Sequence, residues 1–129
     1  MSQLKTRSFP LTHGSLFSGI GGLDLGFEQA GLHTVWRVEL DRYCRQVLKR
    51  HWPDTPVFSD IRGFPPGNIQ HADIISGGFP CQDISCCGRR EGLHGKQSSL
   101  WFEMLRVIRC LGPRYVLVEN TGALSARGL

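Results

Sequence analysis

No apolar run in the 129-residue chain approaches the roughly 20 residues needed to cross a bilayer. Met1 to Thr12 carries two basic residues but lacks the apolar stretch and small-residue cleavage site of a signal peptide. A cytoplasmic protein is the expectation, with no membrane partner. Cysteine is sparse and odd in number: Cys44, Cys81, Cys86, Cys87 and Cys110 show neither paired C-x-x-C spacing nor a nearby H-x-x-x-H. This argues against a disulfide framework and against a zinc site, and no metal is expected. Internal repeats and low-complexity tracts are also missing, and the length suits one domain with one modest core. The net charge of +4 and the pI near 9.0 are compatible with a nucleic-acid partner, and equally with a solvated basic surface.

What is present is an alternation of short apolar runs with helical patterns, the signature of a parallel α/β sheet. Gly14 to Phe17 reads as a first strand, ending in Ser18-Gly19-Ile20-Gly21-Gly22. Leu23, Phe27 and Ala30 then fall on one face of a short helix closed by Gly31. Thr34 to Val38 is a second strand ending at Glu39, and Asp41 can cap a helix that runs to about Trp52, where Pro53 stops it. Val57 to Ser59 is a weaker third strand leading to Asp60, Gly63 to Gly67 is a loop, and Ala72 to Ser76 is a fourth strand. A long polar loop follows to about Ser98. Leu100, Met104, Val107, Ile108 and Leu111 mark the buried face of a helix capped by Ser98 or Ser99 and ended by Gly112-Pro113. Tyr115 to Val118 is a fifth strand that delivers Glu119 and Asn120.

The unusual residues gather at the carboxyl ends of these strands, where open parallel sheets bind ligands. Glycines after the first strand let a ligand approach the backbone, and Glu39, twenty positions after Gly19, suits a carboxylate that accepts from ribose hydroxyls. Asp24 stands where a dinucleotide fingerprint needs its third glycine, so a nicotinamide cofactor, and with it an oxidoreductase, is disfavoured. An adenosyl cofactor without a pyrophosphate fits better. The same residues also suit a plain tight turn with Glu39 on the surface. Cys81 follows Gly77-Gly78-Phe79-Pro80 at the mouth of the fourth strand, where a thiol can be exposed and ionised. An incidental cysteine is the commoner case, but Glu119 ends an otherwise apolar strand, where a carboxylate needs a partner or a task. Cys81 and Glu119 are expected to share one crevice.

Ser15-Leu16-Phe17-Ser18-Gly19-Ile20-Gly21-Gly22-Leu23 resembles the first motif of cytosine-C5 DNA methyltransferases, and Gly78-Phe79-Pro80-Cys81-Gln82 their catalytic motif. Glu39, Asp60-Ile61 and Glu119-Asn120 match the second, third and sixth motifs in order, so the resemblance covers roughly residues 12 to 129. It implies an S-adenosylmethionine-dependent, Rossmann-like parallel sheet with flanking helices, truncated after the fifth strand. Cys81 would add to C6 of a flipped cytosine, and Glu119 would hydrogen-bond to N3 and the exocyclic amine. Phe17, Gly19, Gly21, Glu39, Asp60, Ile61 and Leu100 would form the S-adenosylmethionine site. Pro80, Gln82, Ser85, Arg89 and Asn120 would shape the base pocket or meet double-stranded DNA, with the loop from Asp83 to Ser98 closing over it; that loop also reads as a solvated basic segment.

Cys87, Gln97 and Thr121 depart from the family's usual alanine, arginine and valine. The resemblance also places further strands, an arginine-containing motif, a target-recognition domain and a C-terminal helix beyond Leu129. Residues 1–129 are thus read as the N-terminal part of a catalytic domain, with 1–11 as a flexible leader. A complementing C-terminal subunit is an expected partner. The isolated chain is expected to bind S-adenosylmethionine weakly and not to methylate DNA. Two rival readings stay open: a tRNA-methylating enzyme of the same family, and a non-catalytic binding module descended from it.

Overall fold

Alternating short strands and helices fold as their order demands in a computed structural model that describes residues 9–80 and 99–120. Strands β1 (Thr12–Leu16), β2 (His33–Val38), β3 (Val57–Phe58), β4 (Ile74–Gly77) and β5 (Tyr115–Val118) form one parallel sheet in the order β3-β2-β1-β4-β5. The chain winds outward from β1 through β2 to β3 and then crosses to β4 on the other side. The strand order therefore reverses between β1 and β4, which is where such sheets open a ligand crevice. Helices α1 (Gly22–Gln29) and α2 (Arg42–His51) belong to the first direction of winding, and α3 (Ser99–Leu111) to the second. Right-handed crossovers put the two groups on opposite faces.

Side-chain parity along β1 confirms the two faces. His13 and Ser15 point toward α1: His13 stacks on Phe27 at 4.3 Å, and Ser15 donates to Asp24. Gly14 and Leu16 point the other way. A Cβ on Gly14 would lie 2.1 Å from the Trp36 ring, so only glycine leaves room for that indole against the strand. The register between β1 and β2 slips at this point: His13 pairs with Thr34 but Gly14 pairs with Trp36, and Val35 is the extra residue. Such a bulge reverses the facing of everything after it. It turns Trp36 to the α3 side and Arg37 to the α1 side. The α3 side holds the apolar core, in which Leu16, Trp36, Val38, Ile61, Phe64, Ile75, Met104 and Val107 are buried. There α3 rests on two 3-10 turns, Ile61–Gly63 and Pro66–Asn68, which overlap the two ends of the Gly63 to Gly67 segment read from sequence as a loop.

Two expectations are corrected. Helix α1 turns Asp24 inward, not Leu23 and Ala30, which are exposed. The reason is that Ser15 and Arg37 on the sheet offer this carboxylate two polar partners at 2.8 and 2.7 Å. Strand β5 is apolar but not buried: its side chains are 37% to 57% exposed, and no described strand pairs with its outer edge. The argument that a carboxylate ending this apolar strand needs a partner or a task therefore loses its force, because Glu119 is itself exposed.

Candidate cofactor cavity and catalytic mouth

Where β1, β2 and β4 end, three loops diverge and leave a cavity of about 510 Å³. Its size falls within the roughly 300–1,000 Å³ usual for small-molecule sites. Phe17, Glu39, Asp60, Ile61 and Leu100, five of the seven residues expected at a cofactor site, line it together with Pro80. Sequence reasoning missed Val38, Leu40, Arg62 and Gly78, which also line it. Gly78 sat inside a motif already singled out, and Arg62 lies one residue beyond another. Val38 and Leu40 flank Glu39 and carried no signal beyond adjacency.

Glu39 is held by backbone. One carboxylate oxygen accepts from Gly19 N–H at 2.6 Å and the other from Asp41 N–H at 2.7 Å. A carboxylate offers about four lone-pair positions, so two remain for donors inside the cavity. Phe17 adopts a left-handed backbone with φ of 52°, the one non-glycine residue to do so among those described. Strain of this kind persists only where the surroundings enforce it, and it clusters at ligand sites. Gly19 reaches the cavity through its bond to Glu39. Gly21 does not line the cavity; its φ is 92°, and a Cβ there would meet the Trp52 ring at 2.6 Å. This glycine lets the turn pack down onto the end of α2.

Asp60 caps the first 3-10 turn and is gripped by Arg62, whose Nε and Nη2 donate at 2.9–3.2 Å. Those bonds hold its carboxyl below the ordinary carboxylate range. Arg62 thus shares the cavity wall with the carboxylate it neutralises.

The mouth is built by β4 and β5. Glu119 N–H donates to Gly77 carbonyl oxygen at 3.1 Å, and Asn120 Nδ2 donates to Phe79 carbonyl oxygen at 3.2 Å. A Cβ on Gly78 would lie 2.6 Å from a Glu119 carboxylate oxygen, so glycine at 78 lets that carboxylate lie over the strand end. Glu119 and Asn120 therefore latch the segment Gly77–Pro80, which runs directly into Cys81. Cys81, Gln82, Ser85 and Arg89 lie outside the described residues, as do the loop to Ser98 and residues 1–8.

On the α1 face the buried polar groups form two hydrogen-bonded sets that the sequence did not announce. His13 shares hydrogen bonds with Thr34 Oγ1 at 2.9 Å and Ser76 Oγ at 2.8 Å. Burial pushes its imidazole down to about 4, against the pull of the Asp24 carboxylate, so it is neutral at pH 7. Arg37, an arginine within the apolar run Val35-Trp36-Arg37-Val38, was the available signal for the rest. A fully buried guanidinium requires carboxylate partners, and Asp24 and Glu28 supply them.

The profile of the family described as C-5 cytosine-specific DNA methylase matches residues 11–128. Similar proteins include the Type II methyltransferases M.NgoBI and M.NgoFVII of Neisseria gonorrhoeae. The first is 39% identical over 110 residues, covering 85% of this chain and 34% of that protein. The second is 40% identical over 112 residues, covering 85% and 30%. The chain thus spans about a third of their length. Among solved structures, a candidate DNA modification methyltransferase encoded within an E. coli prophage superposes with a TM-score of 0.73 at 27% identity, covering 88% of this chain and 33% of that one. A Spodoptera frugiperda DNMT2 variant shares the fold with a TM-score of 0.68 at 20% identity, covering 90% and 37%. With a strand order that reverses beside a cavity, the expected acidic residues on its wall and a family profile matched over nearly its whole length, this chain belongs to the C-5 cytosine-specific DNA methylase family.

Proposed function

We propose that the chain is the N-terminal part of a catalytic domain that transfers a methyl group from S-adenosylmethionine to C5 of cytosine in double-stranded DNA. The observation that carries this reading is the meeting of Phe17, Glu39, Asp60, Ile61 and Leu100 around one cavity whose rim, Gly78 and Pro80, leads to Cys81 and lies against Glu119. In this reading the two spare acceptor positions on Glu39 take the ribose hydroxyls. Phe17 packs on the adenine or the methionine portion, and Asp60-Ile61 meets the adenine edge. Leu100 forms the opposite wall, and Gly19, bonded to Glu39, lies near the methionine, with Gly21 serving the packing of the turn on Trp52. The bound cofactor supplies an electrophilic methyl group.

The chain's own residues act on the base. The Cys81 thiolate adds to C6 of cytosine, which makes C5 nucleophilic. Glu119 hydrogen-bonds to N3 and the exocyclic amine and shares a proton at N3, so charge does not accumulate on the ring. After C5 is methylated, loss of the C5 proton restores the C5–C6 double bond and expels the thiolate. A stacked cytosine exposes neither ring face to this attack, so the base must be flipped into the mouth. The exposure of Glu119 and the Asn120 latch on Phe79 favour a mouth that receives a base from outside. Gln82, Ser85 and Arg89 contact the DNA or the flipped nucleotide.

The edge of β5 that no described strand covers supports a complementing segment or subunit that extends the sheet and carries target recognition. Without it the chain binds S-adenosylmethionine weakly and does not turn over. No described helix is long and apolar enough to cross a membrane; the proposal places the protein in the cytoplasm with its DNA, in a restriction-modification or orphan prophage setting.

Trapping on duplex DNA that carries 5-fluorocytosine tests the reading, because fluorine at C5 cannot leave as a proton does. The chain, S-adenosylmethionine and a supplied C-terminal part are expected to give a covalent adduct that Cys81→Ser abolishes. Persistent absence of the adduct would favour a non-catalytic binding module, and methylation of tRNA in place of duplex DNA would shift the substrate.

A further inference from the structure

Beneath the glycine turn lies a buried ionic cluster for which the proposed reaction has no use. Arg37 has no exposed side-chain surface; its Nε donates to Asp24 Oδ1 at 2.7 Å and its Nη2 to Glu28 Oε1 at 3.2 Å. The guanidinium also lies 4.3 Å from the centre of the Trp52 ring, and Trp52 Nε1 donates to Glu28 Oε2 at 2.7 Å. Burying such a set is costly, and apolar residues of similar volume are often at least as stable. Stability alone does not account for it.

The cluster is connected to the turn at both ends. The second oxygen of Asp24 accepts from Ser15 Oγ at 2.8 Å, and Ser15 Oγ accepts from Ser18 Oγ at 2.8 Å. Ser18 N–H donates to Val38 carbonyl oxygen at 3.1 Å, and the next residue, Gly19, donates to Glu39. Since Glu39 lies two residues beyond Arg37, the bonds close a ring through Arg37, Asp24, Ser15, Ser18, Gly19 and Glu39. At the other end, Trp52 fills the space over Gly21. Between Ser15 and Ser18 stands Phe17 in its left-handed conformation, which needs such support.

We propose that Asp24, Arg37 and Ser15 are positioning residues: through Ser18 they hold the Phe17–Gly19 turn in its strained form, so that Phe17 and Glu39 face the cavity before any ligand arrives. The inference rests on the reading of this cavity as a cofactor site. Its physical content is preorganisation, in which the ordering of the turn is completed at folding and not charged to binding.

Residue-resolved amide exchange on the 129-residue chain tests it without a ligand. Ser15→Ala and Ser18→Ala each cut the link between Asp24 and the turn while leaving the Arg37–Asp24 pair intact; Ser18 is only half-buried, so the second variant keeps the test available if the first folds poorly. The Ser18 and Gly19 amides are expected to exchange about tenfold faster, the scale of one lost hydrogen bond in a charged network. Ile75, in the interior strand β4, should be unchanged, and Ser18→Thr, which keeps the hydroxyl, should restore protection. Unchanged exchange at Gly19, or equal acceleration everywhere, would overturn the proposal. Calorimetry with S-adenosylhomocysteine adds a second arm. A roughly tenfold weaker affinity in Ser18→Ala supports positioning, and equal affinity opposes it. No binding by the unaltered chain would sink the cofactor reading, while the exchange data still decide whether the cluster orders the turn.

Discussion

The two faces of this sheet solve burial in opposite ways. On the α3 side, Leu16, Val38, Phe64, Met104 and Val107 exclude water by volume and shape, having no polar side-chain group to bond, and Trp36 adds one hydrogen bond from its Nε1 to the Gln70 carbonyl oxygen. On the α1 side, His13, Ser15, Asp24, Thr34, Arg37 and Ser76 are as deeply buried, and the contacts among them are hydrogen bonds or ion pairs with named partners. The contrast teaches a division of labour. Dispersion and apolar burial tolerate exchange of one side chain for another of similar volume. A hydrogen-bonded set does not, and in return it fixes direction, which a strained turn at a ligand site requires.

The sharpest break in this comparison is Arg37→Ala. It leaves the buried Asp24 and the half-buried Glu28 without their cation and should cost about 4 kcal/mol, the scale for removing one partner of a buried pair. Urea unfolding measures this. The combined change Arg37→Met, Asp24→Leu and Glu28→Met leaves no uncompensated charge and should recover most of the loss, yet Gly19 exchange should stay fast. Recovery of stability and turn protection together would show that the polar face is not needed for direction.

Met104→Ala is the matching change on the apolar face. Met104 is fully buried against Gly77, and its truncation should cost about 3 kcal/mol through lost burial and a residual cavity. Protection of Gly19 should fall no more than that of the rest of the sheet. A selective loss at Gly19 would blur the distinction between the faces.

The smallest effect is a pH dependence from His13. Its folded value is pushed to about 4 from 6.5, so the unfolded chain binds the proton more readily. The contribution to stability is therefore full above 6.5 and is lost as pH falls toward 4. Between pH 7 and 5 this amounts to about 2 kcal/mol, visible as a falling urea midpoint. The groups facing His13 are Thr34 and Ser76 by hydrogen bond, Phe27 by stacking, and the charges of Asp24, Arg37 and Glu28. A midpoint that falls equally in a His13→Gln variant would remove His13 as the source.

Much of the fold was legible because it is written in local periodicity. The five strands lie where short apolar runs predicted them, α2 begins at its Asp41 cap, and α3 covers the run from Leu100 to Leu111. Five of seven expected cofactor residues share one cavity: Phe17, Glu39, Asp60 and Ile61 follow strand ends, a place that local sequence identifies, and Leu100 lies in the first turn of α3. The inward face of α1 was misread because an apolar pattern of Leu23, Phe27 and Ala30 competes with a salt bridge to another strand, and only the second is long-range. That β5, apolar throughout, is exposed has a related reason. Composition shows that a strand can be buried, but a neighbour must be present to bury it.

By itself, then, the sequence determined the βα alternation, the glycine turn, the carboxylate after β2 and the Gly-Phe-Pro-Cys-Gln segment after β4, since each depends on residues near one another in the chain. The tertiary structure alone decided that Val35 bulges, that Trp36 and Arg37 consequently face opposite sides, and that Gly19 N–H and Glu39 meet. It also decided that Glu119 lies over Gly78. These outcomes follow from register between strands, and a slip of one residue, which leaves composition untouched, sends every later side chain to the other face.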